Sequence, residues 1–121
     1  MSAFDDLAAI RPQAIWDGLL ARAVHGERIT LAVVELAPEA DLPEHSHENE
    51  QLGMVLRGSL SLRVGDEERV LGPGETWRID SNTPHSGRAG SEGAVAIDVF
   101  APPRRDWDAV DPRAAQAPLW P

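Results

Sequence analysis

Three of the four histidines in this chain fall into one pattern: His45-Ser46-His47, with Gln51 four residues further on and His85 later in the same short sequence. Side chains alternate faces along an extended strand, so positions 45, 47, 49 and 51 share one parity. Two imidazoles and a carboxamide then point the same way, toward a shared cation. Glu48 and Glu50 are the more obvious ligands by chemistry, but their parity is opposite and they face away unless a bulge intervenes. The pattern calls for β-structure around it, and it predicts one divalent metal ion held by His45, His47, Gln51 and His85 inside a β-barrel.

Composition narrows the chemistry around such a site. With 121 residues the chain is expected to form one domain with a real core. It contains no cysteine, so disulfides, thiolate zinc sites and Fe–S clusters are excluded. The eleven cationic side chains are all arginine, which removes Schiff-base chemistry and a lysine general base. Tyrosine is absent as well, leaving His, Asp and Glu for acid–base work. A net charge of −9 argues against nucleic acid or an anionic membrane as partner. An anionic small molecule would need a local positive spot built from a few arginines. The stretch MSAFDDLAAIRPQ is too acidic and too weakly apolar for a signal peptide, and no apolar run is long enough to span a membrane. The expectation is a soluble cytoplasmic protein.

Along the chain, residues 1–20 read as a leader, with Ala14 to Leu20 a short helical turn packing Ile15, Trp16 and Leu19. Residues 21–101 read as an all-β barrel or sandwich of short strands: Ala21–Val24, Ile29–Leu36, Glu50–Leu56, Ser59–Val64, Glu67–Leu71, Thr76–Ile79, His85–Arg88 and Ala94–Phe100. Turns are expected at Ala37-Pro38, Arg57-Gly58, Gly65-Asp66, Gly72-Pro73-Gly74, Asn82-Thr83-Pro84 and from Gly90 to Gly93. Leu60, Leu62 and Val64 alternate with Ser59, Ser61 and Arg63, as in a half-buried antiparallel strand. Ile29–Leu36 is apolar on both faces, so it is either central or covered by a second protomer, which points toward a homodimer. Residues 102–121 form a Pro-rich, irregular tail that docks through its tryptophans if it docks.

The same residues resemble a known superfamily. Glu39, His45, His47, Gln51 and Gly58 stand where the first cupin motif has its glycine, its His-x-His pair, its glutamate and its closing glycine. Gly74, Asp80, Asn82, His85 and Ala89 stand in the places of the second motif. The histidines and two turn glycines match, whereas several turn positions depart. The resemblance covers roughly Leu31 to Phe100 and implies a cupin fold, a double-stranded β-helix or jelly-roll barrel.

Gln51 in the glutamate's place makes the chain similar to one group of cupins, the pectin-degradation (KdgF) type that linearises unsaturated monouronates. That group pairs three His and a Gln with an Asp, a Phe and an Arg from the last barrel strand and the loop after it. Here that place holds Asp98-Val99-Phe100-Ala101-Pro102-Pro103-Arg104. The resemblance implies ring-opening and tautomerisation of a 4,5-unsaturated sugar acid to its linear keto form. Asp98 would be the acid–base group, Arg104 a fork for the substrate carboxylate and Phe100 a wall against the sugar, with Trp77 a further contact. No redox change occurs, so Ni, Zn, Fe or Mn would serve. Two other functions share the motif: a non-haem metal dioxygenase, and a metal- or small-molecule-binding module without turnover.

Each of these residues has a plainer reading. Asp98, a carboxylate in an apolar run, needs a partner, and Arg63 or Arg78 would supply one. Arg104 and Arg105 could be solvated in their Pro-rich loop. Trp77 fits the core or an interface, and His25, next to Gly26, fits an exposed turn. Asn49 and Glu35 are the candidates to support the histidines.

Overall fold

The computed structural model describes residues 2–121. It is built almost entirely of antiparallel strands: β1 Gln13–Trp16, β2 Leu19–His25, β3 Thr30–Leu36, β4 Asp41–His45, β5 Glu50–Val64, β6 Glu67–Leu71, β7 Thr76–Ile79 and β8 His85–Ala101. The only helical pieces among the described residues are 3-10 turns at Leu7–Ala9 and Arg105–Ala109.

Two long strands organise everything else. The first half of β5 pairs with β7 and with the end of β8, which in turn pairs with β3; β2 and β1 follow outward. The second half of β5 pairs with β6 and with the start of β8, whose other edge takes β4. β5 and β8 therefore cross from one layer to the other, which is the jelly-roll arrangement. Both strands bend where their mutual register slips, between Val55/Arg57 and between Gly58/Leu60. Arg57-Gly58 and Gly90 to Gly93 were expected to be turns; they are bends inside continuous strands. Gly58 has φ +79°, and a Cβ there would lie 2.2 Å from the Gly93 carbonyl oxygen. Only glycine permits both the conformation and the close approach at this corner.

Between the layers lies a core of Leu19, Ala21, Ala32, Val34, Leu36, Val55, Leu60, Leu62, Leu71, Ala94 and Phe100. Each large aliphatic side chain in it contributes on the order of 1.5–3 kcal/mol by leaving water. The alternation expected along β5 holds, with Leu60 and Leu62 buried and Arg63 exposed.

Three expectations need correction. Ala14 to Leu20 is not a helical turn but the hairpin between β1 and β2, so the sheet starts at Gln13. Apolar Ile15, Trp16 and Leu19 all pack on the core from that hairpin; pairing with β2 satisfies the backbone that a lone helical turn would leave open. Second, the tail is not wholly irregular, because its 3-10 turn inserts Trp107, 5 % exposed, into the core. Third, Glu35 does not support the histidines: β3 is central, between β2 and β8, as one of the two readings had it, and its outer face is covered in part by the chain itself. Arg22 and Glu35 form a buried ion pair at 2.7 Å, and they bind the tail through the Gln116 carbonyl and the Leu119 N–H. Glu35 thus holds the tail, not the histidines.

No helix among the described residues is long and apolar enough to cross a membrane.

Candidate functional site

β4 ends at His45, a short loop carries His47, β5 opens with Gln51 one residue in, and β8 starts at His85. His45 and His85 face each other as register partners. His47 does not sit in a strand, so parity along 45–51 is not what aims it. The loop achieves the convergence instead, with Glu48 and Glu50 exposed as expected. One ring nitrogen from each of His45, His47 and His85 lies within 4.8 Å of the others.

The backbone fixes the tautomers. The Nδ1 of His45, His47 and His85 pairs with the carbonyl oxygens of Pro43, Asn49 and Thr83 at 2.7, 3.0 and 2.8 Å. A carbonyl accepts only, so each Nδ1 must donate, and each Nε2 is left with a free lone pair. Among the described residues, buried His85 Nε2 has no partner. His47 Nε2 faces Gln51 Oε1 at 3.1 Å, while the Gln51 amide nitrogen donates to Asp98 Oδ1 at 2.9 Å. Two acceptors thus confront each other with no proton between them, an arrangement that a cation relieves. The donor set fits a divalent metal of the nitrogen-and-oxygen class. Burial also favours the neutral form of two of them, as ligands must be: it lowers the His47 pKa and takes that of His85 down to about 4.

Gln51 has a second consequence. A glutamate there would set one carboxylate against another, whereas the amide turns its oxygen toward the place beside His47 Nε2 where a cation would sit and donates its N–H to Asp98. Asp98 is 7 % exposed, and burial raises its pKa to about 6, offset by the Gln51 bond, by Trp77 and by the Arg104 charge. The Trp77 indole N–H faces this carboxyl but lies outside hydrogen-bonding geometry, and it has no other partner among the described residues. The expected partners Arg63 and Arg78 are elsewhere, at Glu68 and Asp80 on the surface; outward parity on their strands keeps them from the interior.

These groups share one cavity of about 280 Å³, lined among others by Trp16, His45, His47, Gln51, Trp77, His85, Asp98, Phe100, Arg104, Asp106 and Trp107. A larger depression over Arg69, Trp77 and Arg78 contains none of the histidines. Phe100 packs edge-on against His47 and Trp107. Arg104 is not solvated. Its side chain is 11 % exposed, its guanidinium carbon lies 4.8 Å from the ring centroids of both Phe100 and Trp107, and it binds Asp106. Arg105 does not line the cavity.

Sequence reasoning offered Trp107 only as a docking residue of the tail, not as a wall of this cavity, and missed Asp106 and Gly53. A Cβ at Gly53 would lie 2.2 Å from the Trp77 ring, so this glycine lets Trp77 lie across β5 beside Asp98. Asn49 was expected to support the histidines and does so through its carbonyl. Its side chain also donates to the Pro102 carbonyl, tying the His47 loop to the loop that carries Arg104. His25, expected to be exposed, is half-buried and bonds the Thr30 hydroxyl at 2.8 Å, under the Arg104 backbone.

Known proteins share this fold. The chain is 27 % identical over 97 residues to the pectin degradation protein KdgF of Dickeya dadantii (strain 3937), covering 78 % of this chain and 88 % of that one. The structure of KdgF from Halomonas sp. superposes with a TM-score of 0.80 at 25 % identity, covering 88 % of this chain and 98 % of the other. An RmlC-like cupin from Shewanella frigidimarina NCIMB 400 gives a TM-score of 0.81 at 20 % identity, covering 88 % and 96 %. The model of the cupin domain matches residues 32–100, the span that carries both histidine motifs and the first two members of the Asp98, Phe100 and Arg104 set; the chain belongs to the cupin family, with a KdgF-like resemblance.

Proposed function

We propose that the protein is a cytoplasmic, metal-dependent enzyme that opens and tautomerises a 4,5-unsaturated monouronate to its linear keto form. One observation carries the reading: a buried carboxyl, Asp98, and a caged guanidinium, Arg104, share a small cavity with the converging histidine nitrogens. The KdgF likeness supplies the substrate class. A divalent cation held by His45, His47, Gln51 and His85 would supply positive charge that polarises substrate oxygens.

The residues of the chain account for the rest. The substrate carries a hydroxyl at the anomeric carbon, a ring oxygen, a C4=C5 double bond and a carboxylate. Ring opening breaks the bond between the anomeric carbon and the ring oxygen as the anomeric hydroxyl loses its proton. The enol so formed at C5 becomes a ketone when C4 gains a proton. Net, one proton moves and nothing is oxidised. Asp98 is suited to take the first proton and return it at C4, because its pKa of about 6 lets it serve as base and acid near neutrality. Arg104 holds the substrate carboxylate, and Phe100, Trp77 and Trp107 wall the sugar and exclude water.

The test is a proton NMR time course of freshly generated 4,5-unsaturated galacturonate with metal-loaded protein. Accelerated loss of the vinylic proton, abolished in Asp98→Ala with metal content unchanged, is the expected result. A rate equal to that in buffer with the metal fully bound would end this assignment.

We also propose a homodimer. Val24, Leu31 and Leu52 are more than 40 % exposed and lie in one transverse row with Val99 across four strands, an apolar stripe that a second copy would cover. Sedimentation velocity should show a dimer for the native chain and a monomer for Leu52→Glu.

A further inference from the structure

Asp106 belongs to neither histidine motif and stands outside the Asp98, Phe100 and Arg104 set, yet it makes the best-formed ion pair of the cavity. Its carboxylate takes two hydrogen bonds from one edge of Arg104, from Nε at 3.1 Å and from Nη2 at 2.9 Å. Arg104 is held on its other sides as well. Its guanidinium is packed on Phe100 and Trp107, and its backbone N–H donates to the buried Thr30 hydroxyl at 2.9 Å. Asp106 is 62 % exposed on its side chain against 11 % for Arg104, so the edge it occupies is the one nearer solvent. Nη1 has no hydrogen-bond partner among the described residues, and the Nη1–Nη2 edge is left open to a second carboxylate.

We propose that Asp106 is a positioning residue: it clamps the outer edge of Arg104 so that the inner edge meets the ligand carboxylate ready-made. This rests on the reading of the cavity as a sugar-acid site. A free arginine side chain would lose its rotational freedom each time a ligand bound, whereas a clamped one has lost it on folding. Both residues sit at the mouth of the 3-10 turn, two positions apart, so the clamp closes within a single turn of chain.

The clamp is tested by NMR of ¹⁵N-labelled protein together with ligand titration. In the native protein the Arg104 Nε–H, identified by its absence in Arg104→Lys, should give a slowly exchanging resonance that Asp106→Ala abolishes. Galacturonate, saturated and unreactive, should bind Asp106→Ala about tenfold more weakly. On the unsaturated substrate KM should rise while kcat stays within about twofold, and Asp106→Asn, which keeps one acceptor oxygen, should fall in between. Equal or tighter galacturonate binding by Asp106→Ala would overturn the proposal and make Asp106 a bystander or a competitor for the guanidinium. A persisting Nε–H signal in Asp106→Ala would overturn it whatever the ligand. If that signal is lost but even the native protein ignores galacturonate, the clamp is supported and the sugar-acid reading falls.

Discussion

The cavity has two walls that are held in different ways. On the histidine wall each imidazole is fixed by a carbonyl only two residues away in sequence: Pro43 for His45, Asn49 for His47 and Thr83 for His85. On the tail wall Asp106 clamps Arg104 locally, but the turn that carries both is anchored from far along the chain. Gln13 donates to the carbonyls of Trp107 and Val110, Thr30 accepts from Arg104, and Asn49 reaches Pro102. The first wall is oriented by local backbone, the second by the closing of the whole fold. Metal binding should therefore survive damage to the tail, and carboxylate binding should not.

Asp98 stands between the walls, bonded to Gln51 and near Arg104, and changing it should have the largest effect. Asp98→Asn is expected to lower kcat by about 10²–10⁴-fold with metal content unchanged, measured by the vinylic-proton time course. Next comes Trp107→Ala, which empties a core position and should cost about 3 kcal/mol in urea denaturation. It should weaken galacturonate binding while leaving metal affinity within about twofold. His85→Ala should do the reverse, weakening metal by at least about a hundredfold in a chelator competition and leaving the Arg104–Asp106 pair in place. If Trp107→Ala loosens the metal as much as His85→Ala does, the walls are not independent.

The same division explains what was legible in the sequence. The histidine wall is a short-range pattern, so His45, His47, Gln51 and His85 were readable, although the loop at His47 reached the convergence by a route that strand parity did not foresee. Asp98 and Phe100 were readable from their place on the last strand. Asp106 and the place of Trp107 in the cavity were not, because a 3-10 turn docked by Gln13 and Asn49 depends on contacts more than fifty residues apart in sequence. β5 and β8 were each read as two strands because glycine marks a turn as readily as a bend, and only the cross-layer pairing decides between them. The hairpin at Ala14 to Leu20 was misread for a similar reason: its apolar residues suit a helical turn or a strand, and the partner strand settles which.

The smallest expected effect sets the carboxyl between the walls against the histidine wall by charge. In protein stripped of metal with EDTA, the unfolded chain releases the Asp98 proton near 3.8 while the folded chain holds it to about 6. Across that window stability falls as pH rises. His85 acts in the opposite sense, since the unfolded chain takes a proton near 6.5 and the folded chain resists to about 4; stability there falls as pH falls. His47 adds to the histidine side in the same direction. Between pH 4 and 6 the two contributions oppose each other, and the native protein should show a shallow dependence. Asp98→Asn removes one of them. Measured by urea denaturation, its stability relative to the native chain should be higher at pH 7 than at pH 4.5, and its own stability should drop more steeply on acidification. A difference that is the same at both pH values would mean that the Asp98 carboxyl is not held protonated by its burial. The acid–base role proposed for it would then lose the property that recommends it.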